Sequence, residues 1–127
     1  MVTVGDADSS SQLGGINDAD VRDGEYDTYW SPDSPVPDGT LVNEQYIAIE
    51  WSGEPQSFDA VILREDGNLV REWRLETAEA QVLATGRSIG PSYYIEFPTV
   101  TSERVSLVIV EASALPKIAE LEVYASQ

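Results

Sequence analysis

The chain has 127 residues, with 23 acidic against 7 basic side chains, a formal charge of −16, and neither cysteine nor histidine. That length is one domain, able to bury about two-thirds of the surface its unfolded chain exposes. The charge argues against binding to nucleic acid or to anionic lipid. No run approaches the ~18 apolar residues of a membrane span, and without Cys or His neither disulfides, zinc sites nor the usual nucleophile–base pairs can be built.

In chain order, residues 1–12 are small and polar, with Ser9, Ser10 and Ser11 in a row, and read as a flexible leader. Residues 13–127 read as a single domain. Met1 is followed by no basic or apolar stretch of a signal peptide. Residues 15–45 carry Gly, Asp, Asn and the closely spaced Pro32, Pro35 and Pro37; that spacing forbids a helix or central strand and predicts a long ordered loop.

From Tyr46 the texture becomes β. Strands are predicted at 46–51, 58–63 and 69–77, the last with Leu69, Trp73 and Leu75 on one face and Glu72, Arg74 and Glu76 on the other. Two short strands follow at 81–85 and 93–97, separated by the turn from Gly86 to Gly90. A strand at 104–110 is apolar enough for both faces to be covered. The last, 118–124, sets Ala119, Leu121 and Val123 against Glu120 and Glu122. Residues 72–83 also satisfy helix propensity, but the hairpin context on both sides favours strands. Short strands punctuated by turns at this spacing argue for an all-β sandwich or barrel. Trp30, Trp51 and Trp73 fall in strand-like motifs and read as core. Tyr93 and Tyr94 are adjacent and must face opposite ways, so one of them is expected at the surface as a platform.

Five acids, Asp18, Asp20, Asp23, Glu25 and Asp27, crowd the early loop. Hard cations such as Ca²⁺ take six to eight oxygens from a loop of this kind. The EF-hand pattern fails: counted from Asp18, its fifth position is Arg22, its glycine position Asp23 and its twelfth Tyr29. A solvated acidic loop with no metal, Asp23 capping a turn, is the competing reading.

The stretch Asp23-Gly-Glu-Tyr-Asp-Thr-Tyr-Trp30 resembles the Asp-Gly-x-x-x-Thr-x-Trp signature of discoidin (F5/8 type C) domains and of family 32 carbohydrate-binding modules. The core strands at 45–51 and 58–63, the Arg-x-Leu strand opening at Arg104, and the Ile-x-Glu-x-x-Val-Tyr ending at Tyr124 follow the order of that family over residues 15–125. The segments at 28–30, 84–90 and 111–120 look most like the C-terminal domain of family 29 α-L-fucosidases. The resemblance implies a discoidin-like (galactose-binding-like) jelly-roll β-sandwich and, since that family is mostly extracellular and no signal peptide is seen, a segment of a larger secreted or cell-surface protein. It also implies a structural Ca²⁺ held by side-chain oxygens of Asp23 and Thr28, backbone carbonyls of Asp20, Glu25 and Ala119, and the carboxylate of Glu120. It implies sugar contacts at Arg64 and Asn68, whereas the histidine of galactose-binding relatives has no counterpart here. Nothing in the sequence isolates one carboxyl group in an apolar pocket as glycoside hydrolysis needs. The expected function is therefore a non-catalytic carbohydrate-binding or accessory module of a secreted glycosidase. Its expected partners are a glycan and a catalytic domain in the same parent chain; the alternatives are a protein-interaction or adhesion module of the same fold, or an architectural domain without ligand.

Overall fold

The computed structural model describes residues 6–9, 30–31, 45–51, 54–114 and 116–125. Eight strands order as β1 (Asp6–Ser9), β2 (Gln45–Glu50), β3 (Gln56–Glu65), β4 (Val70–Thr77), β5 (Val82–Gly86), β6 (Tyr93–Ser102), β7 (Arg104–Ala112) and β8 (Ile118–Tyr124). They form a five-stranded sheet in the order β1-β2-β7-β4-β5 and a three-stranded sheet in the order β6-β3-β8, with every pairing antiparallel. The fold is the expected all-β sandwich, and no helix is found among the described residues.

The period-2 pattern decides which side chains meet between the sheets. From the five-stranded sheet come Ile47, Ile49, Trp73, Leu75, Val105, Leu107 and Ile109; from the three-stranded sheet come Phe58, Val61, Leu63, Ile95, Leu121 and Val123, all buried. Trp30, Trp51 and Trp73 are core residues, as their motifs predict. Each large side chain shut away contributes about 1.5–3 kcal/mol. Phe58 anchors one end of the core, tilted against Trp51 at 5.7 Å and edge-on to Phe97 at 5.9 Å.

The ambiguous segment resolves as its hairpin context favoured, and the leader holds a short strand. The ambiguous segment 72–83 is strand, then turn, then strand: β4 and β5 pair as a hairpin, with Ala80 at φ 62° in its turn. Helix propensity loses because Trp73 and Leu75 have a sheet to bury against. Residues 6–9, inside the segment read as a flexible leader, form β1, paired from Asp6↔Glu50 to Ser9↔Ile47. Asp-Ala-Asp-Ser has no apolar alternation to announce a strand; main-chain pairing to β2 places it.

Trp73 imposes a further condition on its neighbour. Its Nε1–H donates to the Ser88 carbonyl at 3.0 Å, and the indole lies across Gly86, where an added Cβ would stand 2.5–2.7 Å from three ring atoms. Gly86→Ala must therefore displace the indole, and should lower stability by about 1–3 kcal/mol, read as a fall in the urea midpoint at constant slope.

Candidate functional site

One end of the sandwich gathers the close of β3, the starts of β4, β6 and β8, and the only described part of the early loop. Glu65, the last residue of β3, is 3% exposed. Its Oε2 accepts the backbone N–H groups of Leu69 (2.7 Å) and Val70 (3.1 Å), and its Oε1 accepts that of Gly90 (3.4 Å). Its own N–H donates to the Gly90 carbonyl, and the next residue, Asp66, donates to the Lys117 carbonyl, both at 2.8 Å. One acid thus closes the β3–β4 turn, in which Gly67 sits at φ 107°, and draws the β5–β6 connection against it, while the Asp66 N–H holds the β7–β8 connection. Sequence reading passed over Glu65 as an ordinary strand-end acid. The available signal was a carboxylate of inward parity, after Val61 and Leu63, just before an Asp-Gly turn.

Beside this hub, Trp30 and Ile118 exchange both backbone hydrogen bonds at 2.8 Å, which fixes the early loop to β8. Of the six residues expected at a metal, Asp20, Asp23, Glu25 and Thr28 lie outside the described residues. The other two are described. Arg64 pairs with Glu120 and Glu65 with Ile118, so Ala119 is the extra residue of a β-bulge, out of the ladder register. Glu120 is 2% exposed, with Oε1 sealed from solvent. Among the described residues no three acids gather closely enough to hold an ion.

The four residues expected to touch sugar separate into three places. Asn68 is exposed in the β3–β4 turn, where its backbone carbonyl accepts Arg71 Nη1–H at 2.8 Å. Tyr93 packs edge-on against Trp73 at 5.6 Å and keeps 40% exposure. Arg64 and Tyr94 share the outer face of the three-stranded sheet: Tyr94 is opposite Ile62, two residues from Arg64. Both tyrosines reach the surface, where one was expected. Tyr94 is the freer, at 57%.

That outer face holds a depression of about 370 Å³, lined by Asp59, Ala60, Ile62, Tyr94, Tyr124 and Ala125. Tyr94 stands across β3 from Glu122, and Glu96 across it from Tyr124, so the two rings occupy diagonal corners with Ala60 and Ile62 beneath. Glu122 ties the face together: its Oε2 accepts Arg64 Nε–H and its Oε1 accepts the Tyr124 hydroxyl, each at 2.6 Å. Glu96, which accepts a hydrogen bond from the Tyr94 phenol, is the main cause of a pKa raised above 10; slight desolvation and the charges of Glu96 and Asp59 add to it. Sequence reading missed Tyr124 as a surface group, although it has the same strand parity as Glu120 and Glu122.

No family model matches the chain, and no curated protein is significantly similar to it in sequence. Solved structures are similar in fold. A family 29 fucosidase from Ruminococcus gnavus, solved with fucose, superposes with a TM-score of 0.76 at 22% identity over 95% of this chain, which spans 25% of the fucosidase. Chitosan-binding module 2 of a Paenibacillus chitosanase/glucanase, solved with chitotriose, gives 0.78 at 19% identity, covering 95% of this chain and 96% of the module. The family 32 carbohydrate-binding module of C. perfringens NanJ, solved with galactose, gives 0.76 at 16%, covering 93% and 91%. The chain thus has the discoidin-like sandwich of the family 32 modules, and matches part of a family 29 fucosidase by the same fold.

Two outcomes follow from this geometry. Glu65→Ala removes the acceptor of three backbone donors and should cost about 3 kcal/mol, with Glu65→Gln losing less because its amide oxygen still accepts, both read by urea denaturation. Glu96→Gln should bring the Tyr94 phenol back toward 10, visible as an earlier rise of tyrosinate absorbance in an alkaline titration.

Proposed function

We propose that the chain is a non-catalytic carbohydrate-binding module serving a secreted, α-L-fucosidase-like glycosidase, with its sugar surface on the outer face of the three-stranded sheet and a structural Ca²⁺ at the end of the sandwich. The observation that carries the sugar reading is the depression between Tyr94 and Tyr124. Aromatic faces pack on the C–H faces of pyranose rings, and neighbouring carboxylates and guanidinium groups hydrogen-bond their hydroxyls. Arg64 and Glu122 supply such groups beside the depression. The likeness in fold to modules solved with galactose and with chitotriose supports the same reading. The likeness to part of a fucosidase supports a catalytic domain elsewhere in the parent chain as partner.

The calcium reading rests on the two described members of the shell, Ala119 and Glu120. A carboxylate sealed from water needs compensating charge or donors, and a bulge turns a main-chain carbonyl out of its ladder. Glu120 and Ala119 offer these two kinds of oxygen side by side, two residues from the point where Ile118 grips Trp30. Trp30 follows Thr28 by two residues and ends the acid-rich stretch. In this reading Asp23 and Thr28 add side-chain oxygens, and Asp20 and Glu25 add carbonyls. The ion supplies positive charge that closes a long loop and screens its acids.

Affinity electrophoresis against a panel of immobilised glycans tests the module reading: retardation by at least one sugar is expected, and free migration through all of them removes it. Ca²⁺ binding only to the native state raises its melting temperature by mass action. Melts in EDTA should fall below melts in excess Ca²⁺, and Glu120→Gln should erase the difference. Superimposable wild-type curves would dismiss the ion.

A further inference from the structure

We propose that Asp66–Gly67 is a site of spontaneous covalent modification, where the main chain passes through a succinimide to isoaspartate, and that the Glu65 joint turns this local change into a loss of stability for the whole fold. Four properties of the β3–β4 turn lead to it.

The first is what the turn leaves uncommitted. Asp66, Gly67 and Asn68 are exposed. Among the described residues, neither the Asp66 carboxylate nor the Gly67 N–H takes part in a hydrogen bond or ion pair. An aspartate opening a turn ordinarily spends its carboxylate on the backbone two residues on. Here Glu65 does that capping from the buried side, through the N–H groups of Leu69 and Val70. The Asp66 carboxyl group is left facing its neighbour's amide.

The second is steric. Gly67 sits at φ 107°, and a Cβ built there would meet nothing within 4 Å. With no side chain on the attacking residue, its nitrogen approaches the Asp66 carboxyl carbon unhindered.

The third is the chemistry, which needs no second molecule but water. The Gly67 nitrogen attacks Asp66 Cγ. A C–N bond forms, a carboxyl C–O bond breaks, and the hydroxyl leaves with the Gly67 amide proton as water. Water then opens the five-membered ring. Attack at Cγ restores aspartate. Attack at the main-chain carbonyl leaves isoaspartate, with the chain now running through Cβ and Cγ. Nothing is oxidised or reduced, and the mass is unchanged.

The fourth is the pair of anchors on either side. The Asp66 N–H is held by the Lys117 carbonyl at 2.8 Å, and the Leu69 N–H by Glu65 Oε2 at 2.7 Å. Isoaspartate inserts one more main-chain atom between them. The lengthened turn draws Leu69 and Val70 away from Glu65, and a carboxylate that is 3% exposed loses donors that water does not replace.

The test is ageing of the whole chain at physiological temperature and near-neutral pH, sampled over weeks. Two other Asp-Gly pairs, Asp23–Gly24 and Asp38–Gly39, lie outside the described residues. Each pair is therefore read in its own proteolytic peptide, by electron-transfer fragmentation, which separates isoaspartate from aspartate. Isoaspartate is expected at residue 66, and hydroxylamine should trap the succinimide there as a hydroxamate. Chains modified at residue 66 alone should melt about 5–10 °C below intact ones. Asp66→Asn, from which ammonia leaves in place of water, should age several-fold faster. Asp66→Glu, whose ring would have six members, should stay unmodified at that position. Both variants should start from the wild-type melting temperature, so a folding defect shows before ageing begins, and the hydroxylamine trap on the wild-type chain needs no variant. No isoaspartate at residue 66 over the time in which the excised peptide converts, or modified chains that melt together with intact ones, overturns the proposal.

Discussion

At the end of the sandwich where its connections meet, main-chain groups of three segments must be satisfied away from water, and one carboxylate does most of this. Glu65 faces inward from β3 and accepts three backbone N–H groups from two different connections. A buried acid without a partner is among the costliest groups a fold can contain. Surrounded by donors it becomes a rigid joint, because moving any connection leaves a charge unsolvated. Leu69 and Val70 at the start of β4 and Gly90 before β6 are held by this joint, and the N–H of the next residue, Asp66, holds the Lys117 carbonyl before β8.

The two outer faces of the sandwich are finished differently. On the five-stranded sheet, Arg104 is paired with Glu50, donates to Ser106 Oγ at 3.0 Å and lies 4.8 Å from the centre of the Tyr46 ring. Charge and aromatic surface there are spent on each other across β2 and β7. On the three-stranded sheet the comparable network, Arg64–Glu122–Tyr124, runs toward one corner and leaves Tyr94, Ile62 and Ala60 around a hollow. The five-stranded sheet carries a depression too, of about 320 Å³, but its rim of Glu72, Arg74, Thr85 and Arg87 brings no exposed aromatic ring to it, and that difference separates the two faces.

Much of the architecture was legible in the sequence because alternation is a direct consequence of strand geometry. Seven strands, three core tryptophans and the two-sided burial of β7 could be read from parity and turn residues. The short Asp6–Ser9 strand could not, since main-chain pairing leaves no mark in side-chain type. Of the proposed site, the sequence offered Arg64, Asn68, Tyr93 and Tyr94 as one group, and the structure divides them. Neighbouring tyrosines on a strand are on opposite sides of a sheet, and Asn68 belongs to a turn beyond it. Tyr124 was hidden for a different reason: what makes it a platform is the strand across which it looks, a relation between residues 60, 96 and 124 that no local pattern encodes.

The pairing of β1 with β2 carries a practical corollary. With β1 in place, β2 is an interior strand, hydrogen-bonded on both flanks. A shortened chain lacking the first nine residues would bare the flank of four positions, Ile47–Glu50, among them the buried Ile47 and Ile49. Such a margin is a template for accretion by a second molecule. Domain boundaries drawn at the first hydrophobic strand would thus leave a fragment with an open edge that favours self-association.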